Sequence, residues 1–143
     1  MAVDGSANSD RALDLALDLA EKFNAFITIL NVSESLVVTE IPRESIAYSG
    51  GNAAAFGNDI RKIHEEILSR SVARAKAVKP NLPVSSMLKE GDPAYEIVNT
   101  AKEGSFDIIV IGHRGLGRMQ ELILGSTSEK VANLTPVPLV IVR

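Results

Sequence analysis

The stretch Phe106-Asp107-Ile108-Ile109-Val110-Ile111-Gly112-His113-Arg114-Gly115 decides how this chain is organised. Its first six residues are almost all apolar, so they predict a strand of a parallel sheet that is covered on both faces. Glycines follow directly after that strand. In open α/β sheets, ligands bind beyond the carboxyl ends of the strands, so the same stretch also indicates where function is to be sought.

On both sides of this stretch, further apolar runs alternate with patterns of helical spacing. Besides the strand at 106–111, strands are predicted at 1–3, 26–32, 84–89 and 138–142. Helices are predicted at about 8–22, with Asn8 or Ser9 as cap, and at 60–78, 92–103 and 125–131. For the helix at 92–103, Asp92 is the predicted cap, Pro93 suits the first helical position and Gly104 is the predicted stop. This order predicts an α/β fold: an open, doubly wound, parallel five-stranded sheet with helices on both faces, Rossmann-like, with strand order 3-2-1-4-5. We expect one domain over 1–143.

Composition narrows the class of protein. The net charge is -3 and no basic stripe is visible, which argues against nucleic acid as a partner. No apolar run is long enough to span a membrane and no signal peptide is visible, so we expect no membrane association. The chain has no cysteine, which removes thiol chemistry and suits a cytoplasmic location.

Two regions fit the alternating pattern poorly. The first strand, Met1 to Val3, is very short for a central position, where about five residues are usual. The stretch from Ser33 to Asn58 is irregular and rich in glycine and polar residues. A loop of this length is uncommon unless it is functional or mobile.

The glycine segment after the fourth strand has two interpretations. Glycine backbone can approach an anion closely, and a helix that begins at Gly125-Ser126 would direct N–H groups and its positive dipole end at the loop. Ser128 would add a hydroxyl, and Arg114 and Arg118 would add charge. The alternative is an ordinary turn with a serine cap, which residue types alone leave equally acceptable. A Walker A loop and a dinucleotide fingerprint are both excluded by the residues that follow the glycines.

The spacing Gly-x2-Gly-x9-Gly-Ser, from Gly112 to Ser126, resembles the ATP-binding signature of the universal stress protein family. The resemblance extends along nearly the whole chain. It includes the stretches Ala2-Val3-Asp4-Gly5-Ser6, Glu90-Gly91-Asp92-Pro93-Ala94 and Pro136-Val137-Pro138-Leu139-Val140-Ile141-Val142.

The resemblance implies a role for each matching position. Asp4 would contact the nucleoside, Val32 and Ile111 would border the adenine pocket, and the glycines would admit ribose and phosphates. Gly125, Ser126 and Thr127 would hold the phosphate tail. The complete candidate nucleotide site is Ala2, Val3, Asp4, Val32, Ile111, Gly112, His113, Arg114, Gly115, Gly117, Arg118, Gly125, Ser126, Thr127 and Ser128.

The resemblance therefore implies a regulatory protein of the stress response that binds ATP or AMP. It also implies that Mg2+ or Mn2+ enters the site bound to the phosphates of the nucleotide. It also implies a homodimer formed through the last strand, Val137 to Val142. Two alternatives stay open: a slow ATPase, and an interaction module with an empty site. No catalytic residue and no metal ligand is assigned, because His64 is expected on the solvent side of its helix and the two histidines lack metal-ligand spacing.

Overall fold

Helices and strands alternate along the chain. The computed structural model describes residues 1–34, 53–115 and 124–143, and in 53–56 it describes the backbone alone. Its elements are α1 (Ala7–Lys22), β1 (Ile27–Ser33), α2 (Ala53–Val78), β2 (Val84–Glu90), α3 (Pro93–Glu103), β3 (Ile109–Gly112), α4 (Ser126–Leu134) and β4 (Leu139–Val142). The predicted α/β class is confirmed.

The strands form two parallel pairs with the N-terminal segment between them. β1 pairs with β2, and β3 pairs with β4. Ala2 forms a single parallel bridge with Leu30; the Val3 N–H donates to the Leu30 carbonyl (2.8 Å) and the Ala2 N–H donates to the Val110 carbonyl (3.1 Å). Met1 to Val3 form only this one bridge, so the described residues contain four strands where the sequence predicted five.

The core lies on both sides of these strands. One cluster of buried residues joins α1 and α2 to the sheet through residues such as Leu13, Leu17 and Ile29. A second cluster joins α3 and α4 to the opposite face, around Leu30 and Val131. Adjacent β1 residues point to opposite faces, so β1 packs against helices on both sides. Within the described ranges, no helix has the length and apolar character needed to cross a bilayer.

Local signals fix the helix ends. α1 begins at Ala7 because the Ser6 side chain accepts the Ser9 N–H (3.1 Å), so Ser6 is the cap and the prediction of Asn8 or Ser9 was wrong. For α3 the prediction was confirmed: Asp92 caps the first turn and Gly104 ends the helix.

The starts of β3 and α2 differ from the sequence prediction by several residues. β3 begins at Ile109 and not at Phe106, because the Phe106 N–H donates back to the Ala101 carbonyl (2.9 Å) and its ring packs on Phe26 with centroids 5.8 Å apart. α2 begins at Ala53, inside the stretch predicted to be irregular. The rest of that stretch, from 35 to 52, lies outside the described residues.

Candidate functional site

A cleft of about 650 Å³ opens where the parallel strands end. Twelve of the fifteen predicted site residues line it: Ala2, Val3, Asp4, Val32, Ile111, Gly112, Arg114, Gly115, Gly125, Ser126, Thr127 and Ser128. The cleft therefore lies at the position that the topology rule for open α/β sheets indicates.

Three predicted residues are not part of the described lining. Gly117 and Arg118 lie outside the described residues. His113 is described, and its ring Nδ1 lies 3.2 Å from the Val142 carbonyl oxygen. Its backbone has a structural role, because its N–H donates to that carbonyl oxygen (2.7 Å) and so extends the β3–β4 pairing by one residue.

Asp4 is a turn residue and a cleft residue at once. One carboxylate oxygen accepts the Ser6 N–H at 3.0 Å, which holds the side chain at the start of α1. The other oxygen lies against Gly115, where an added Cβ would overlap it. A glycine at 115 therefore lets the loop after β3 approach a negatively charged oxygen that lines the cleft.

The same loop is fastened to the beginning of α1. The Asn8 side-chain amide donates to the Arg114 carbonyl at 3.2 Å. A Cβ at Gly112 would lie 3.0–3.1 Å from Asn8 atoms, including its backbone carbonyl, so the loop and the helix touch closely. Gly112 is therefore a packing residue as well as a member of the predicted site.

The first turn of α4 forms one wall of the cleft. Gly125 is the residue before the helix, and no side chain there makes a capping hydrogen bond. The Gly125 N–H and the Ser128 hydroxyl both donate to the His113 carbonyl, at 2.8 and 2.7 Å, which fixes where the helix begins. Ser126 and Thr127 face the cleft at this end. A helix N-terminus without a side-chain cap is a favourable site for an anion.

Sequence reasoning missed a second wall, on α2. Ile60, Ile63, His64 and Ile67 follow the spacing i, i+3, i+4, i+7, and all four line the cleft. His64 was predicted on the solvent side of the helix, and this prediction was wrong. Its ring Nδ1 lies 2.6 Å from Oδ1 of the buried Asn31. The available signal was a histidine inside an isoleucine stripe.

α3 contributes further apolar side chains to the cleft lining, from Pro93 and Ile97. The remaining residues that sequence reasoning missed are Ser9, Glu34, Pro93, Ile97 and Leu124. The cleft lining therefore combines apolar side chains from α2 and α3, the N-terminus of α4 and the carboxylates of Asp4 and Glu34. Among the described residues, no three histidine, aspartate or glutamate side chains gather in a way that would hold a metal ion.

Similar proteins of known structure carry nucleotides. A crystal structure of a universal stress protein in complex with cAMP is 25% identical, superposes with a TM-score of 0.72, and is matched over 100% of this chain and 94% of its own. The universal stress protein from Archaeoglobus fulgidus in complex with dAMP is 21% identical with a TM-score of 0.64, covering 99% of this chain and 94% of its own.

Sequence comparison gives the same relationship over the full length. Universal stress protein YxiE of Bacillus subtilis is 37% identical over 144 residues, which cover 100% of this chain and 96% of the relative. The universal stress protein family itself matches residues 1–143. The chain belongs to the universal stress protein family.

Proposed function

We propose that this protein binds an adenine nucleotide in the cleft and acts as a regulatory member of the stress response. One observation carries the proposal: the cleft combines apolar side chains with the N-terminus of α4, where the preceding residue, Gly125, has no side chain to form a cap. A nucleotide has the matching chemistry, with an aromatic base at one end and an anion at the other. The cAMP and dAMP held by two similar structures support the same ligand class.

The dimensions and chemistry of the cleft suit the whole ligand. A volume of about 650 Å³ lies within the range of sites for small molecules and cofactors. Val32 and Ile111 would border the adenine, Asp4 would contact the nucleoside, and Ser126 and Thr127 would hold the phosphates; all five residues line the cleft. Because Gly112, Gly115, Gly125 and Ser126 complete the signature, we assign the chain to the ATP-binding subgroup, with ATP or AMP as ligand.

A divalent ion is proposed only as a companion of the phosphates. The described residues contribute carboxylates to the cleft at Asp4 and Glu34, but no cluster of three ligands. Mg2+ prefers to be held by one or two carboxylates together with phosphate oxygens. Mg2+ or Mn2+ would therefore enter with ATP, with Asp4 as the carboxylate nearest the loop glycines.

We further propose one domain in which residues 1–3 act as the central strand of a five-stranded sheet in the order 3-2-1-4-5. The hydrogen bonds of Ala2 to Val110 and of Val3 to Leu30 support this position. The absence of cysteine in the whole sequence supports the further proposal of a cytoplasmic location.

A homodimer through the last strand, within Val137 to Val142, is also proposed. Among the described strands, β4 pairs with β3 alone, so its other edge presents unpaired backbone groups. The four β4 residues are only partly buried. A second copy of the same strand would pair with that edge and cover these side chains.

Calorimetric titration of the folded protein with AMP, ATP and adenosine tests the proposal. We expect all three to bind, and AMP to bind more tightly than adenosine by about tenfold, because the α4 N-terminus meets the phosphate. Absence of binding by AMP and ATP would contradict the proposal.

A variant at the start of α4 tests the anion end separately. A Cβ at Gly125 would lie 3.3 Å from the Arg114 Cα and from the His113 carbonyl, so the larger side chain of Gly125→Val crowds the loop. We expect its AMP affinity to fall to that of adenosine. Leu134→Ala, at the exposed far end of the same helix, is the matched control and should bind AMP like the parent.

A further inference from the structure

We propose that His64 selects the base by accepting a hydrogen bond from the 6-amino group of adenine, with Asn31 as the residue that positions it. The inference rests on the proposed nucleotide function and identifies a specificity determinant within that site. Asn31 makes two contacts beneath the cleft, one with Val3 and one with His64.

The orientation of the Asn31 amide is determined by its first contact. Asn31 is 1% exposed, and its side-chain nitrogen lies 2.7 Å from the Val3 carbonyl oxygen. A carbonyl can only accept a hydrogen bond, so the amide nitrogen must face it and Oδ1 must face the other way. The position of Oδ1 is therefore fixed by the hydrogen-bond network.

The second contact determines the tautomer of His64. Nδ1 of His64 lies 2.6 Å from that Oδ1, which has no proton to give. Nδ1 therefore carries the proton, and in the neutral ring Nε2 has a free lone pair. Among the residues that the structure describes, Nε2 has no hydrogen-bond partner. His64 is half-buried and lines the cleft, so an acceptor of fixed identity is available to a ligand.

The surroundings of His64 suit a flat base. Ile60, Ile63 and Ile67 flank it on the cleft side of α2, and Ile63 is 56% exposed in the protein alone. An aromatic ring placed against these side chains would remove apolar surface from water. Among the described α2 residues that line the cleft, His64 is the one with a polar side chain. Its hydrogen bond would therefore orient a base whose contact with the isoleucines has no preferred direction.

The position of His64 within the cleft favours contact with the base over contact with the phosphates. Asn31 contacts Val3 and precedes Val32, so His64 lies above the ends of β1 and the N-terminal segment. The helix N-terminus at Ser126 follows the loop after β3, on the other side of that segment. Adenine presents an N–H donor at position 6, whereas hypoxanthine presents a carbonyl oxygen there. A protein acceptor therefore favours AMP over inosine 5′-monophosphate.

Nitrogen NMR of the histidine rings tests the proposal without altering the site. The chain has two histidines, and the spectrum of His113→Gln assigns the signals. At a pH where the ring is neutral, we expect the His64 Nδ1 to be protonated in the free protein. We expect the Nε2 resonance to move on addition of AMP and to stay in place on addition of ribose 5-phosphate.

The substitution His64→Leu tests the same hydrogen bond through binding affinities. In His64→Leu, the ratio of the dissociation constants for inosine 5′-monophosphate and AMP should fall by about threefold to tenfold, the value of one hydrogen bond. Glu66→Leu introduces the same side chain at an exposed position of α2 outside the cleft lining and should keep the parental ratio. Should His64→Leu fail to fold, the NMR experiment decides alone.

The outcomes separate this proposal from the proposed function. If AMP binds but neither the ratio nor the Nε2 signal responds, His64 has no part in base selection and nucleotide binding stands. If the proton lies on Nε2 in the free protein, the role of Asn31 and the proposal with it are overturned. If AMP does not bind at all, both proposals are wrong.

Discussion

A side-chain oxygen of Asp4 lies so close to Gly115 that a Cβ at position 115 would overlap it. The second oxygen of the same carboxylate is held by the Ser6 N–H at 3.0 Å. The carboxylate therefore cannot move aside without losing that hydrogen bond. This contact joins the turn before α1 to the loop after β3 and places a carboxylate in the lining of the cleft.

The contact predicts the effect of Gly115→Ala. The new methyl group should displace the Asp4 carboxylate and weaken AMP binding by about tenfold, which corresponds to one charge-assisted hydrogen bond. The thermal unfolding temperature should fall only slightly, because Gly115 is exposed and lies outside the core. Calorimetric titration and thermal unfolding measure the two effects.

Gly57→Ala is the matched control for that substitution. Gly57 lies in α2, and a Cβ there would meet nothing within 4 Å. The change should leave AMP affinity unaltered and stabilise the protein by about 0.5–1 kcal/mol, because glycine disfavours a helix interior. Unchanged AMP affinity in Gly115→Ala would show that the Asp4 position has no influence on the ligand.

Asp92 should stabilise the fold through its cap on α3. Its Oδ1 accepts the Ala94 N–H at 2.9 Å and the Tyr95 N–H at 3.2 Å, and its Oδ2 lies 3.1 Å from Lys130 Nζ. Asp92→Ala should lower the free energy of unfolding by about 1 kcal/mol in urea denaturation. Asp92→Asn keeps a capping oxygen and should lose less, since the ion pair is partly exposed.

The same carboxylate predicts a pH dependence. Burial raises the pKa of Asp92, but the hydrogen bonds from Lys130, Tyr95 and Ala94 outweigh it and leave the pKa below its ordinary value. A depressed folded-state pKa gives stability that is present above the unfolded value of about 3.9 and is lost as the pH falls through the folded value. The difference between parent and Asp92→Ala should therefore shrink below about pH 4. A difference that stays constant into strong acid would contradict this assignment.

Thr100 offers a stabilising substitution. Within the described part of the chain, its Oγ1 is a buried side-chain atom without a hydrogen-bond partner. Thr100→Val removes the hydroxyl at similar volume and should raise the free energy of unfolding by about 1 kcal/mol. Thr28→Val is the matched control and should lower the free energy of unfolding, because the Thr28 hydroxyl lies 2.7 Å from that of Ser85 and this hydrogen bond would be lost. Destabilisation by Thr100→Val would indicate a water in the cavity of about 30 Å³ that Thr100 lines.

Local chemistry explains which features of the fold could be predicted. Asp92, Pro93 and Gly104 determine α3 through contacts within one helical turn, so the sequence alone was sufficient for its ends. Phe106 was assigned to a strand because it is apolar, but its contacts are with Ala101 and Phe26, which the strand pattern does not reveal. The cap of α1 was also predicted wrongly, because Ser6, Asn8 and Ser9 are all residue types that can cap a helix.

One part of the candidate site could likewise be predicted from the sequence, and another part could not. The glycine spacing indicated the proposed anion end, because Gly125 and the start of a helix are adjacent in sequence there. The α2 wall could not be assigned, because an isoleucine stripe at helical spacing is equally suited to face a core or a cleft. The packing of α2 against β1, through Asn31 and His64, places this stripe above the strand ends.

The proposed dimer edge can be tested with one backbone change. The Ile109 N–H donates to the Pro138 carbonyl and the His113 N–H donates to the Val142 carbonyl, at 2.9 and 2.7 Å. Because backbone groups alternate along a strand, the N–H of Ile141 points away from β3. Ile141→Pro therefore removes a group on the open edge while the bonds to β3 remain. In sedimentation experiments the parent should be a dimer, Ile141→Pro a folded monomer, and Ile141→Val a dimer. A dimeric Ile141→Pro would place the interface elsewhere, and a monomeric parent would contradict the dimer itself.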